Sequence, residues 1–196
     1  MRTIAFLLFL GLLLPGPVSG QEEVEIGEQE LRDLLHNKIR VVQHLALNPA
    51  LLRDARRQNT TKLDLNEIKK RDEEWKNSDD LTHFKRSLQD NVSGRLLKRI
   101  VSSNPDFNEA FLTDDQGANV AAYPATSDYW QGDEEKWSES FNGGEGRLFL
   151  GPLERDASTD TYAVQISAPI FDGPETIGVL VVGVTLDYLS EKRGAR

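Results

Sequence analysis

Three aromatic rings and four carboxylates fall within the twelve residues Thr126-Ser127-Asp128-Tyr129-Trp130-Gln131-Gly132-Asp133-Glu134-Glu135-Lys136-Trp137. The whole chain holds only three tryptophans and four tyrosines, so this density is local. Ring faces beside carboxylates suit a pocket for a small polar or cationic ligand, because the rings give an apolar wall with a negative face and the acids give fixed charge. The chemistry predicted is recognition rather than bond breaking. Candidate ligand contacts are Tyr123, Asp128, Tyr129, Trp130, Asp133 and Trp137. Arg147 joins them, since its planar fork matches a carboxylate. Gln165 and Ser167 alternate with Tyr162, Val164, Ile166 and Ala168, and a period of two puts the polar pair on one face of a strand.

Each of these residues also has a plainer reading. Trp130 and Trp137 are seven apart and would share a face on a helix, so either suits a core. Asp128 suits a helix cap, as does Gly132-Asp133. Arg147 suits a surface pair with Glu145 or Glu154, and Gln165 with Ser167 suits a solvated sheet face.

Catalytic patterns are missing. His36, His44 and His83 fall on predicted helices without metal-ligand spacing. There is no cysteine, no nucleophile elbow and no phosphate-binding loop. Among 32 acidic residues a chance carboxylate pair is expected, so a glycosidase reading has no specific support. Asp128, Asp133 and Glu134 match no calcium loop. The chain reads as a non-enzyme with no cofactor and no metal. Asn59-Thr60-Thr61 and Asn91-Val92-Ser93 are formal glycosylation sites.

The elements that must hold the aromatic–acidic segment come in two blocks. In the first, Leu31, Leu34, Leu35, Ile39, Val42, Leu45 and Ala46 repeat at helical spacing, predicting an amphipathic helix from about Glu28 to Leu47. Asn48-Pro49 gives a cap and a proline at the first position of a helix running to about Gln58. Asp64 and Glu67 have capping-box spacing for a helix ending near Trp75. Asp79 or Asp80 opens a stripe of Leu81, Phe84, Leu88, Val92, Leu96 and Ile100, with Gly94 as an expected interruption. The second block changes period. Glu109–Thr113 and Ala118–Tyr123 read as a hairpin turning at Asp114–Gly117. A helical insert at Asp133–Phe141 follows, then strands at Arg147–Leu150, Thr161–Phe171 and Thr176–Leu186. The expected fold is α+β, with a helical part at about 28–104 and a five-stranded antiparallel sheet at about 108–187, in one domain.

The first twenty residues carry one basic residue, the apolar run Ile4–Leu14 and small residues ending at Gly20. This is the pattern of a secretory signal peptide cleaved after Gly20. The run is too short to span a bilayer. Removing it removes Arg2 and takes the net charge from −9 to −10. An acidic chain is a poor partner for nucleic acid or an anionic membrane surface. Residues 21–196 are expected to form one exported domain, periplasmic or secreted, whose core must supply stability without disulfides.

Several segments together resemble the Cache (PDC) family of PAS-like extracellular sensor domains. Leu45-Ala46-Leu47-Asn48-Pro49 followed by Ala55 resembles the break in its long first helix, and Ile68, Asp72 and Trp75 resemble the end of a later helix. Glu109–Ala121 is similar to its first hairpin. Ser127–Trp137 is the most specific match, and Tyr162–Pro169 with Ile177–Gly183 resembles its last two strands. The resemblance implies a PAS-like sheet and a ligand pocket between it and the segment joining its second and third strands, here Tyr123–Trp137. It also implies a bacterial, periplasmic setting and a signalling role. Such domains usually precede a transmembrane helix and a signalling domain, and neither is visible after Ser190. The expectation is therefore a stand-alone sensor for an amino acid, amine or organic acid. The alternative is an interaction protein that docks on a membrane receptor, a sensor kinase or a second copy through its first helix, with a vestigial pocket.

Overall fold

The computed structural model describes residues 28–78, 80–156 and 161–186. The expected signal peptide and the residues after Leu186 lie outside them, as does Asp79. Among the described residues no helix is long and apolar enough to cross a membrane.

Five helices come first: α1 (Glu28–Ala46), α2 (Pro49–Asn59), α3 (Leu65–Lys76), α4 (His83–Asp90) and α5 (Val92–Ser103). The strands are β1 (Phe107–Thr113), β2 (Asn119–Tyr123), β3 (Phe149–Leu150), β4 (Glu154–Asp156), β5 (Thr161–Asp172) and β6 (Glu175–Thr185), with helix α6 (Glu135–Phe141) between β2 and β3. The architecture is α+β.

Local chemistry sets the helix ends. Asn48 caps α2 by accepting from Ala50 N at 2.9 Å, with Pro49 at the first helical position. Asp64 caps α3 through Asn66 N, but Glu67 does not reach back to close a capping box; it accepts from Arg71 one turn on, at 3.1 Å. The expected start at Asp79 or Asp80 moves to Thr82, whose hydroxyl accepts from Lys85 N. The expected single stripe to Ile100 is two helices. The break falls at Asn91, whose side chain accepts from Gly94 N and so starts α5 before Gly94 rather than at it. In α1, Leu31, Leu35, Val42, Leu45 and Ala46 are buried, while Leu34 is 45% exposed and leaves the expected stripe.

The sheet runs β2-β1-β6-β5-β3, with β4 also on β5, and every pairing is antiparallel. Six strands replace the expected five. The expected Arg147–Leu150 strand shrinks to two residues, and β4 adds a second short piece on the same edge. Gly151-Pro152 separates the two, and proline cannot donate to a ladder.

Alternation divides the sheet into two faces. Tyr162, Val164, Ile166, Ala168 and Ile170 of β5 with Leu180, Val182 and Val184 of β6 join α1, α2 and α5 in the main core. Phe111, Ala122, Val179 and Val181 face the other way, under Trp137 and Phe141 of α6. Burying each such Val, Leu, Ile or Phe contributes about 1.5–3 kcal/mol before chain entropy is counted. This two-sided burial is why β6 is apolar almost without interruption.

Candidate functional site

Helix α3 holds the aromatic–acidic segment in place. Asp72 Oδ1 accepts from Tyr129 N at 2.8 Å and Trp130 N at 3.0 Å. Its other oxygen accepts from Lys76 Nζ at 2.6 Å. One turn on, Trp75 donates its indole N–H to Thr126 O at 2.8 Å. Two backbone bonds, Asn119 N to Tyr129 O and Gln131 N to Gly117 O, lay the segment along the start of β2. The β1–β2 turn meets it closely: a Cβ on Gly117, which has φ +83°, would sit 2.5 Å from Gly132 Cα. Any side chain there would push the segment off.

The aromatic residues fill this space rather than lining an open one. Tyr129 is 2% exposed. Its ring lies 5.1 Å from Phe84 and 5.9 Å from Trp75, centroid to centroid. Burial pushes its phenol up to about 12; the nearby Asp114 charge adds to the rise and Arg71 opposes it. Asp114 is itself raised by burial, against donors from Gln58 and the N–H groups of Gln116 and Ala118. Trp130 donates to Gln116 O at 2.8 Å and carries Lys69 Nζ 4.7 Å above its ring. Trp137 donates to Asp114 O at 3.3 Å and stacks on Phe141.

The nine candidate residues therefore do not surround a single cavity. Asp128, Tyr129 and Trp130 gather against α3. Asp128 accepts from the Gln131 amide and lies 3.8 Å from Lys76. It does not cap α6, whose first position follows Glu134 with no side-chain bond. Asp133 is exposed. Trp130 precedes α6, so it shares no helix face with Trp137. Tyr123 is half-buried and packs against the main core, with Lys98 Nζ 5.4 Å from its ring centre. Arg147 pairs with neither Glu145 nor Glu154; it donates to the carbonyl and carboxylate of Glu139.

Gln165 and Ser167 share the sheet face beneath α6, opposite the α1 core, as their alternation with buried apolar neighbours requires. Ser167 is fully buried and its hydroxyl has no hydrogen-bond partner. Gln165 donates to Glu109 Oε1 at 2.7 Å. Beside Gln165, but not reaching Ser167, lies a cavity of about 180 Å³, walled also by Asn108, Glu109, Pro152, Glu154 and Gly183. Gly183 lets the Asn108 and Glu109 side chains lie against the strand: a Cβ there would sit 2.2 Å from Asn108 Oδ1 and 2.7 Å from Glu109 Cγ. Glu109, Asn108 and Gly183 escaped the sequence reading. The available signal was a glycine inside a β-branched strand, which marks close approach of another group.

No protein-family model matches the chain, and no curated protein does. Solved structures resemble it at low identity. The ligand-binding domain of the Pseudomonas aeruginosa PAO1 amino acid chemoreceptor PctC, in complex with GABA, is 17% identical over 82% of this chain and 57% of that one, with TM-score 0.49. The sensor domain of the V. cholerae histidine kinase DctB is 14% identical over 85% of this chain and 57% of that one, with TM-score 0.45. The ligand-binding domain of the Campylobacter jejuni chemoreceptor Tlp3, in complex with 4-methylisoleucine, is 16% identical over 82% and 63%, with TM-score 0.37. These neighbours are sensor domains of the Cache (PDC) type. The chain spans less than two thirds of each.

Proposed function

We propose that this protein is an exported small-ligand-binding sensor module whose ligand lies on the sheet face beneath α6. One observation supports the reading: on that face Gln165 of β5, with Asn108, Glu109 and Gly183, walls a cavity of about 180 Å³. The ligand is an amino acid, an amine or an organic acid, and the signal-peptide pattern of the first twenty residues supports a periplasmic or secreted location.

The test is a thermal-shift screen of the purified protein against amino acids, amines, organic acids and divalent cations. A ligand bound only by the native state raises the melting temperature with its concentration. The reading expects such a ligand and expects Gln165→Leu to abolish its effect. A well-folded protein that no member of the panel stabilises would refute it.

Docking through α1 has an observation of its own. Leu34 and Val41, seven residues apart on one side of that helix, are 45% and 46% exposed, and Leu47, just past its end, is 71% exposed. A second copy, a membrane receptor or a sensor kinase are the partners this edge would suit. Sedimentation of the protein and of Leu34→Glu/Val41→Glu tests the first of these: a dimer that the double variant dissolves is the expected result, and a monomer at high concentration removes it.

A further inference from the structure

The cavity beside β5 has a chemical bias that narrows the ligand class, given that this face binds a ligand at all. Its wall holds two carboxylates, Glu109 and Glu154, and no lysine, arginine or histidine. Glu109 is half-buried, and among the described residues no cation lies within ion-pair distance of it. Its one side-chain partner is the neutral Gln165 amide, on Oε1. A carboxylate only accepts, so Gln165 must turn its NH₂ toward Glu109, which leaves its own Oε1 as an acceptor. Glu109 Oε2 and Gln165 Oε1 are then left as acceptors on the wall, and the exposed Asn108 brings its Oδ1 beside Gly183.

We propose that this cavity takes a small primary ammonium ion, with Glu109 as its counter-charge. An ammonium group brings one positive charge and only donors, which suits a wall with an unpaired carboxylate and a neighbouring amide oxygen. An organic acid would set its own carboxylate against two others. A divalent cation fits less well, since no group of three or more His, Cys, Asp or Glu residues that could hold a metal exists among the described residues. Pro152 and Ala163 supply an apolar patch for a short carbon chain. At about 180 Å³ the cavity lies below the size range of drug-sized pockets, so the ligand has few heavy atoms.

The test compares n-butylamine, butyrate and calcium chloride by calorimetry at matched ionic strength, using the purified protein and its isosteric Glu109→Gln variant. The amine should bind, butyrate and calcium should not, and Glu109→Gln should weaken amine binding at least tenfold while circular dichroism shows an unchanged fold. Equal binding of butyrate, preferential binding of calcium, or amine affinity unaffected by Glu109→Gln would overturn the ammonium assignment. If another compound in the broader screen binds and is lost in Gln165→Leu while butylamine does not bind, the assignment falls and the ligand-binding reading stands. If nothing in either panel binds the folded protein, both fall.

Discussion

Trp130 and Trp137 donate their indole N–H groups to carbonyls two residues apart in one turn, Gln116 O at 2.8 Å and Asp114 O at 3.3 Å. One ring comes from the α3 side and the other from the α6 side. The β1–β2 turn is therefore gripped from two directions by the segment that follows it. Trp130→Phe and Trp137→Phe should each cost about 0.5–1.5 kcal/mol from the lost hydrogen bond, with further loss where packing changes. Because both bonds fix one turn, the double variant should deviate from the sum of the two. Urea unfolding of the four proteins measures the coupling; strict additivity would mean that the turn does not link them.

Asp72 is the charged centre of the clamp. It accepts from two backbone N–H groups and from Lys76. Hydrogen bonds to a charged group contribute about 1.5–3 kcal/mol each, so Asp72→Ala should destabilise the fold by about 3 kcal/mol or more. Asp72→Asn keeps one acceptor for the backbone and should cost less. Equal losses in the two variants would show that the backbone bonds contribute little.

Both ends of the pH scale should reveal a buried group. Burial on its own would raise Asp54, but the Ser93 hydroxyl, Arg57, the Ser93 N–H and Arg53 together hold it below its usual value. A depressed carboxylate contributes stability above its unfolded value, about 3.9, which is lost as pH falls through the folded one. Acid destabilisation should therefore set in below about pH 4 and be shallower in Asp54→Asn. At the other end, the Tyr129 phenol moves from 10.0 to about 12. A raised phenol leaves stability unchanged below about pH 10, after which it falls as pH rises toward 12. Tyrosinate absorbance should show one late-titrating phenol that Tyr129→Phe removes.

The two glycosylation sequons are structural clamps. Asn59 donates to Ile177 O at 2.8 Å and accepts from Asp115 N at 3.2 Å. Asn91 donates to Val120 O at 2.8 Å and accepts from Gly94 N at 2.7 Å. Asn59→Asp or Asn91→Asp replaces the donor by a charged acceptor facing a carbonyl, and each should cost about 1–3 kcal/mol. In a glycosylating host, mass spectrometry of the folded fraction should find both amides bare. A glycan on either asparagine in folded material would contradict the clamp.

Much of the architecture was legible because it rests on local rules. The Asn48-Pro49 cap, the positive-φ turn at Gly117 and the period-two pattern of β5 each follow from one residue's chemistry and its neighbours. The helix start at Thr82 was not legible, since three acceptable cap residues precede His83 and only tertiary contacts choose among them. The placement of the candidate residues was legible in part. Sequence spacing identified Gln165 and Ser167 as sharing a face, but it could not show that Trp130 and Trp137 spend their N–H groups on a turn. Glu109 was hidden for a different reason: its partner is 56 residues away, and pairing across a sheet leaves no local trace.

Gln165 and Ile166 are consecutive residues that serve opposite sides of a sheet one chain thick. Gln165 borders the cavity, while Ile166 is wholly buried in the layer that supports α1. The peptide between them is planar and stiff. A tilt or slide of β5 produced on one side is delivered to the other within a single residue. A message from the cavity to the first helix would need no relay of side chains, because the strand itself is the lever.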